Sequence, residues 1–331
     1  MLVVTGGLQL HVSALEWIVI LGAATAVLLF DVVVMARRHR EPTMPDCAMA
    51  LSAYVGLAVL FGIWVWFFHG HKFGLQYFAG WLTEYGLSVD NLFIFIVIMA
   101  GFNVPKLTQK QVLFVGIVIA LLLRGIFIAL GAAAIRHFSW IFYVFGGFLV
   151  YTAIKLARGA EHGAAVDNAV VRFARTHLNT TDRWDGLKLH LKEGSKRVMT
   201  PMFLVILALG TADLMFALDS IPAIYGLTRE PYLVFAANVF ALMGLRQLYF
   251  LLGGLLNRLA YLSVGLAFIL FFIGVKLVLH ALRVNQVPLI NGGEHVNVPE
   301  IPTVLSLAVI AVTLVITALA SLYAARVSDA R

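Results

Sequence analysis

Cysteine is almost missing: Cys47 is the only one in 331 residues. The chain can therefore form no internal disulfide and no thiolate metal cluster. Charge is scarce too, at 12% Asp, Glu, Lys and Arg, against about 25% in soluble domains. The N-terminus lacks the basic stretch of a cleavable signal, so the first apolar run reads as a retained span. What fills the chain instead is apolar side chains, 61% of the total, with a mean hydropathy of +0.93. That balance excludes an ordinary soluble domain and points to an all-α polytopic membrane protein.

The apolar runs predict about nine transmembrane helices, near residues 12–36, 47–68, 74–101, 109–136, 138–157, 200–226, 232–256, 258–282 and 301–325. Alternating the intervening loops places sixteen Lys and Arg on one side and only Lys72, Arg136, Arg229 and Arg283 on the other. Eight of the sixteen lie in the long 158–199 segment, and without them the count is still eight against four. The positive-inside rule then puts the N-terminus outside and the C-terminus in the cytoplasm. The net charge of +7 thus marks a membrane face, and the expected partner is the lipid bilayer with no nucleic acid. Segment 158–199 mixes acids, bases and polar residues. It reads as a cytoplasmic linker with an amphipathic helix near 164–177.

Two halves of this single transmembrane domain resemble each other. Leu123-Arg124-Gly125 resembles Leu245-Arg246-Gln247, and Ile154-Lys155-Leu156 resembles Val275-Lys276-Leu277, with chance similarity among Leu- and Gly-rich helices as the competing reading. Each half is an acidic span, an Arg span and a span ending near Lys-Leu, giving three-helix repeats at 74–157 and 200–282. A repeat of an odd number of helices must be inverted, a recurring transporter plan with its site near the midplane.

The informative residues are acids inside these spans. Glu84 and Asp90 sit six residues apart, and Asp213 and Asp219 repeat that interval. A carboxylate at the bilayer centre costs about 2.5–3.5 kcal/mol on insertion scales. Six span acids, adding Glu16 and Asp31, face four span bases (Arg124, Lys155, Arg246, Lys276), leaving two negative charges that a divalent cation would balance. A regular helix sets acids six residues apart about 120° and about 9 Å away from each other, too far to chelate one ion. Glu84, Ser88 and Asn91 share one face, and Asp213 and Ser220 share another. The expected resolution is that Asp90 and Asp219 meet across the pseudo-twofold, with a local helix break near Gly86 and Pro222. Glu84 and Asp213 then serve access paths. Carboxylate, Asn and Ser oxygens are hard donors that suit Mg²⁺, Ca²⁺ or Mn²⁺. The competing reading of the acids is a buried ion-pair network that fixes helix register. His69 and His71 read as residues of an outer loop or, alternatively, as a point of ion uptake.

The stretches Glu84-Tyr85-Gly86-Leu87-Ser88-Val89-Asp90-Asn91 and Asp213-Leu214-Met215-Phe216-Ala217-Leu218-Asp219-Ser220-Ile221-Pro222-Ala223 resemble the two motifs of the TerC (tellurium-resistance, Alx-like) integral membrane family. Asn238 to Arg246, Gly274-Val275-Lys276 and Asp31 are similar to its pattern as well. The resemblance covers nearly the whole chain. It implies a bacterial inner-membrane protein related to lysine-exporter-like transporters, and divalent metal export with Mn²⁺ as the leading substrate. Many members carry a Glu where this chain has Gly210, a departure that bears on metal identity and coupling.

Together these readings predict a Mn²⁺ exporter working by alternating access, with Asp90 and Asp219 as central ligands and Asn91 and Ser220 completing the oxygen shell. Glu84, Asp213 and Asp31 would line the paths or carry counter-transported protons. No permanently bound cofactor and no enzymatic reaction are expected. Ca²⁺/H⁺ exchange fits the same ligands. A membrane accessory role in metal loading or tellurite resistance, without transport, is the alternative of a different class. An intramembrane hydrolase finds little support, because no site for an activated water is evident.

Overall fold

In the computed structural model the described residues are 10, 12–37, 43–158, 169–181, 183–186, 188–193, 196–252, 261–285, 296 and 298–329. They form eleven α-helices and one small hairpin. The helices are α1 (Ala14–Arg37), α2 (Met44–Phe68), α3 (His71–Gly101), α4 (Lys106–His137), α5 (Ile141–Ala157), α6 (Ala169–His177), α7 (Pro201–Tyr225), α8 (Pro231–Leu242), α9 (Leu245–Leu252), α10 (Leu262–Val284) and α11 (Thr303–Asp329). Strands β1 (His190–Glu193) and β2 (Lys196–Met199) pair antiparallel, with His190 opposite Met199.

Among the described residues, six helices are long and apolar enough to cross a membrane, within α2, α3, α4, α7, α10 and α11. Ala14–Ala23, α5 and α8 are shorter apolar helices. The chain is thus an all-α polytopic membrane protein, the lipid-compatible solution in which every helix satisfies its own backbone.

Helix ends follow local chemistry. Thr43 and Thr200 cap α2 and α7, their hydroxyls accepting from Asp46 N and Phe203 N at 3.4 Å each, and a proline follows in the first turn. Proline there loses no intrahelical bond. Between α2 and α3 the chain turns through His69 and Gly70, where Gly70 has φ +104°, a conformation that suits glycine.

Three expectations are corrected. No break occurs at Gly86: α3 is continuous, and the missing side chain instead admits Leu266 of α10 and Leu314 of α11, each within 3.2 Å of where a Cβ would stand. Pro222 does not break α7 either: it costs the bond to the carbonyl one turn earlier, yet the helix runs on to Tyr225. The break falls elsewhere. The expected span 232–256 is divided into α8 and α9 at Met243-Gly244, with Gly244 at φ +88°.

Segment 158–199 holds α6 together with the hairpin, which apolar periodicity does not reveal in strands this short and charged. The Gly194-Ser195 dipeptide between the strands is the sequence signal for it. Val171 and Ala174 of α6 are buried against the cluster that includes Met202 and Val205 of α7. The described part of the helix expected at 164–177, α6, therefore docks on the bundle, and residues 164–168 lie outside the described residues.

The bundle centre is formed by α3, α4, α7 and α8. Around it, α2, α3 and α8 share the core of Ala58, Tyr77 and Leu233. Helices α5 and α10 join through Leu149, Leu266 and Ile273. They touch at Gly146 and Gly274, where a Cβ on either would come within 2.9 Å of the other's carbonyl oxygen. The large exposed apolar side chains, among them Leu130, Phe148, Phe268 and Ile316, suit a lipid-facing surface.

Candidate metal centre

Three helices each bring one charged group to the bundle centre. Glu84 lies thirteen residues into the 31-residue α3, Asp213 twelve into the 25-residue α7, and Arg124 eighteen into the 32-residue α4. All three are buried, with 0%, 2% and 1% of their surfaces exposed. At 1.5 Å per residue they sit about 18–27 Å along their helices, near mid-membrane depth for spans of this length.

Arg124 organises the group. Its Nη1 donates to Glu84 Oε1 and, at 2.9 Å, to Asn238 Oδ1 on α8. Its Nη2 is 3.7 Å from Asp213 Oδ1. With the Asn91 amide turned so that its nitrogen donates to Leu87 O, Asn91 Oδ1 accepts from Arg124 Nη2 at 3.0 Å. Asn238 is held in turn by its own amide nitrogen, which donates to Val234 O at 2.9 Å. Two carboxylates therefore share one guanidinium, and these three groups carry a net charge of −1 when ionised.

The second oxygens of both acids have no hydrogen-bond partner: Glu84 Oε2 and Asp213 Oδ2 are buried and open, as are Ser88 Oγ, Ser220 Oγ and Gln247 Oε1. Ser220 lies alongside Glu84. Buried polar atoms are usually paired, so this concentration of open oxygens makes the centre the candidate site. Beside it is a cavity of about 10 Å³, lined by Ser88, Asn91, Ile117, Arg124, Asp213 and Leu245 among others. That is close to the room one water occupies. Leu242 and Leu245, on either side of the α8–α9 break, line the same cavity.

The residues expected from sequence are distributed differently from the expectation. Glu84 and Asp213, assigned there to access paths, hold the buried centre. Asn91 and Ser220 join them, Asn91 on Arg124 and Ser220 beside Glu84. Asp219 is half-buried on another flank of α7, where Oδ1 accepts from Thr152 Oγ1 of α5 at 3.0 Å. The reason is helical phase: in an unbroken helix, acids six residues apart cannot face the same neighbour. Asp31 falls in α1 and Asp90 in α3, but their side chains lie outside the described residues, as does that of Arg246. The pairing of Asp90 with Asp219 therefore lies outside them as well. Among the described residues, no three His, Cys, Asp or Glu side chains converge as metal ligands. The central donor set is two carboxylates with hydroxyl and amide oxygens.

Other charged residues are placed away from this centre. Lys276 Nζ donates to Ser306 Oγ of α11 at 2.8 Å. His69 Nε2 lies 3.1 Å from Glu16 Oε1, and His71 stacks on Trp66 with ring centroids 4.9 Å apart. Outside the spans, the Arg283 guanidinium holds the Glu300 carboxyl below the usual carboxylate range. Sequence reasoning did not foresee Asn238 as a partner of Arg124, or Thr152 as a partner of Asp219. An Asn or Thr in an apolar helix gives no sign of which neighbour it faces.

With this geometry in view, comparison with known proteins is decisive at the level of family. The model of the integral membrane protein TerC family matches residues 69–329. The chain belongs to the TerC family. It is 47% identical over 319 residues to an uncharacterized membrane protein of Mycobacterium tuberculosis, covering 95% of this chain and 80% of that one. A membrane protein of Myxococcus xanthus is 39% identical over 263 residues, covering 79% and 82%. Alx of Escherichia coli K12, named as a candidate membrane-bound redox modulator, is 36% identical over 262 residues, covering 76% and 82%. No solved structure matches the chain.

Proposed function

We propose that this TerC-family protein transports a divalent metal cation across the bacterial inner membrane, with Mn²⁺ export by alternating access as the leading form. The observation that carries the reading is the pair of mid-helix carboxylates whose second oxygens are open, accompanied by two open Ser hydroxyls and a small cavity. Such buried acids in a membrane protein are functional by default. Oxygen donors of this kind suit Mn²⁺ and Ca²⁺ and do not favour soft ions.

Glu84 and Asp213 would contribute the charge, with Ser88 and Ser220 as neutral donors and Asn91 ordering the surroundings. Asp219, Asp90 and Asp31 belong to the paths on either side. The α8–α9 break beside the cavity supports a moving element, since transporter sites are commonly built on discontinuous helices. The loop charge count supports an outside N-terminus and a cytoplasmic C-terminus. Proton coupling would follow if a carboxylate takes up a proton when the ion leaves.

The name of Alx favours a second reading, an accessory role that modulates redox state without moving ions. With Cys47 as its only thiol, the chain offers no internal dithiol for such a role, so any redox effect would pass through metal supply or a partner. Purified protein in proteoliposomes separates the two readings. Transport predicts flux of Mn²⁺ or Ca²⁺, responsive to a pH gradient and lost in Asp213→Asn while the protein stays monodisperse. An absence of flux for both ions would refute transport and leave the accessory role.

A further inference from the structure

Arg124 engages one oxygen of each carboxylate that a metal ion would use, leaving the other oxygen of each open. Its guanidinium reaches Glu84, Asp213, Asn91 and Asn238 at once, while its Nε is buried with no partner. A divalent cation at the same carboxylates requires several oxygens at about 2.1–2.5 Å. It would share these lone pairs with a buried positive charge a few ångströms away. The charges also fail to match: two carboxylates and one guanidinium sum to −1, whereas the two carboxylates alone match a doubly charged ion.

We propose that Arg124 is a tethered counter-cation that competes with the transported ion. With no ion bound, it holds Glu84 and Asp213 together and satisfies them. When a divalent cation arrives, the guanidinium yields the carboxylates, and its return helps to expel the ion. Arg124 is thus a positioning residue of the transport cycle and contributes no ligand of its own.

The surroundings supply both an anchor and a destination. Asn238 and Asn91 are neutral amides that can keep hold of the guanidinium after it leaves the acids. The small cavity beside Arg124 is lined as well by Ala120 and Ile117, one and two turns toward the start of α4, and by Leu242 and Leu245. Leu242 ends α8, and the last turn of a helix carries partial negative charge on its free carbonyls. An arginine side chain is long enough to swing from the acids toward that end once movement at the α8–α9 break makes room, since the cavity itself holds about one water. Arginine suits the task because it stays charged and its planar fork can hold two carboxylates and two amides together.

This inference rests on the transport reading, and one experiment tests the two separately. Mn²⁺ binding is measured on the full chain in detergent, by the electron paramagnetic resonance signal of free Mn²⁺, for wild type and Arg124→Gln. Mn²⁺ flux is measured for both proteins in liposomes. Removing a buried cation beside the ion should tighten Mn²⁺ binding at least about tenfold, while flux falls because nothing displaces the ion. A folded Arg124→Gln protein that binds Mn²⁺ no more tightly than wild type overturns the proposal and leaves transport intact. Wild type that neither binds nor moves Mn²⁺ or Ca²⁺ overturns both. If Arg124→Gln is unstable, it is purified with and without Mn²⁺. Rescue by Mn²⁺ supports the exchange of arginine for metal, and aggregation in both conditions counts against it.

Discussion

Neutralising both acids of the centre, by Glu84→Gln together with Asp213→Asn, strips Arg124 of every carboxylate that the described residues give it. Either substitution alone leaves one. An ion pair at the 3.7 Å separation of Arg124 and Asp213 attracts by roughly 4 kcal/mol at an effective dielectric near 20. Most of that attraction offsets the desolvation of a guanidinium that is 1% exposed. Each single change also relieves the repulsion of two buried like charges, so each should cost only about 1 kcal/mol, the centre of the range for point mutants. The double variant leaves a buried cation without an anion, which costs about 3–5 kcal/mol. Its loss should therefore exceed the sum of the singles by about 2 kcal/mol. Reversible unfolding in mixed micelles of rising SDS fraction, followed by far-ultraviolet circular dichroism, measures all three variants against wild type. Additivity within about 0.5 kcal/mol would show that Arg124 does not depend on these acids, and the charge-sharing geometry would have to be abandoned.

Three further outcomes are expected. Gly274→Ala puts a Cβ within 2.9 Å of Gly146 O and should lower stability by about 1–3 kcal/mol in the same assay, as α5 and α10 are forced apart. Gly244→Ala places an L-residue at φ +88°, which costs about 1–2 kcal/mol, and its Cβ meets Leu51 Cδ1 at 2.9 Å. An unchanged unfolding midpoint would mean that the α8–α9 break does not need this backbone conformation. Thr152→Val removes the hydroxyl that donates to Asp219 at 3.0 Å with little change in volume. The loss should be about 1.5 kcal/mol, as for hydrogen bonds to charged groups, and an effect below about 0.3 kcal/mol would deny the bond any role in stability.

Much of the architecture was legible in the chain because lipid imposes a simple rule. A helix that must bury its backbone and face hydrocarbon needs about 20 apolar residues, and runs of that kind can be counted. Spans such as 74–101 and 200–226 differ from α3 and α7 by only a few residues. That Glu84, Asp213, Asn91 and Ser220 are candidate site residues was visible for the same reason: polar groups stand out against an apolar background. Helical periodicity also placed Ser88 and Asn91 on the face of Glu84.

What a linear pattern does not encode is which faces of different helices meet. That Glu84 and Asp213, and not Asp219, converge on Arg124 depends on the rotation of α3, α4 and α7 about their axes, and packing sets that rotation. The role of Gly86 was decided in the same way, since α10 and α11 press against it and α3 has no need to bend there. The break at Gly244 could not be told from an ordinary glycine in an apolar run until its positive φ was seen. By itself the sequence determined an all-helical membrane protein with acids held at depth, because hydropathy and charge are local properties. Only the tertiary structure decided that two of those acids share a single arginine, because a shared partner is a property of three helices at once.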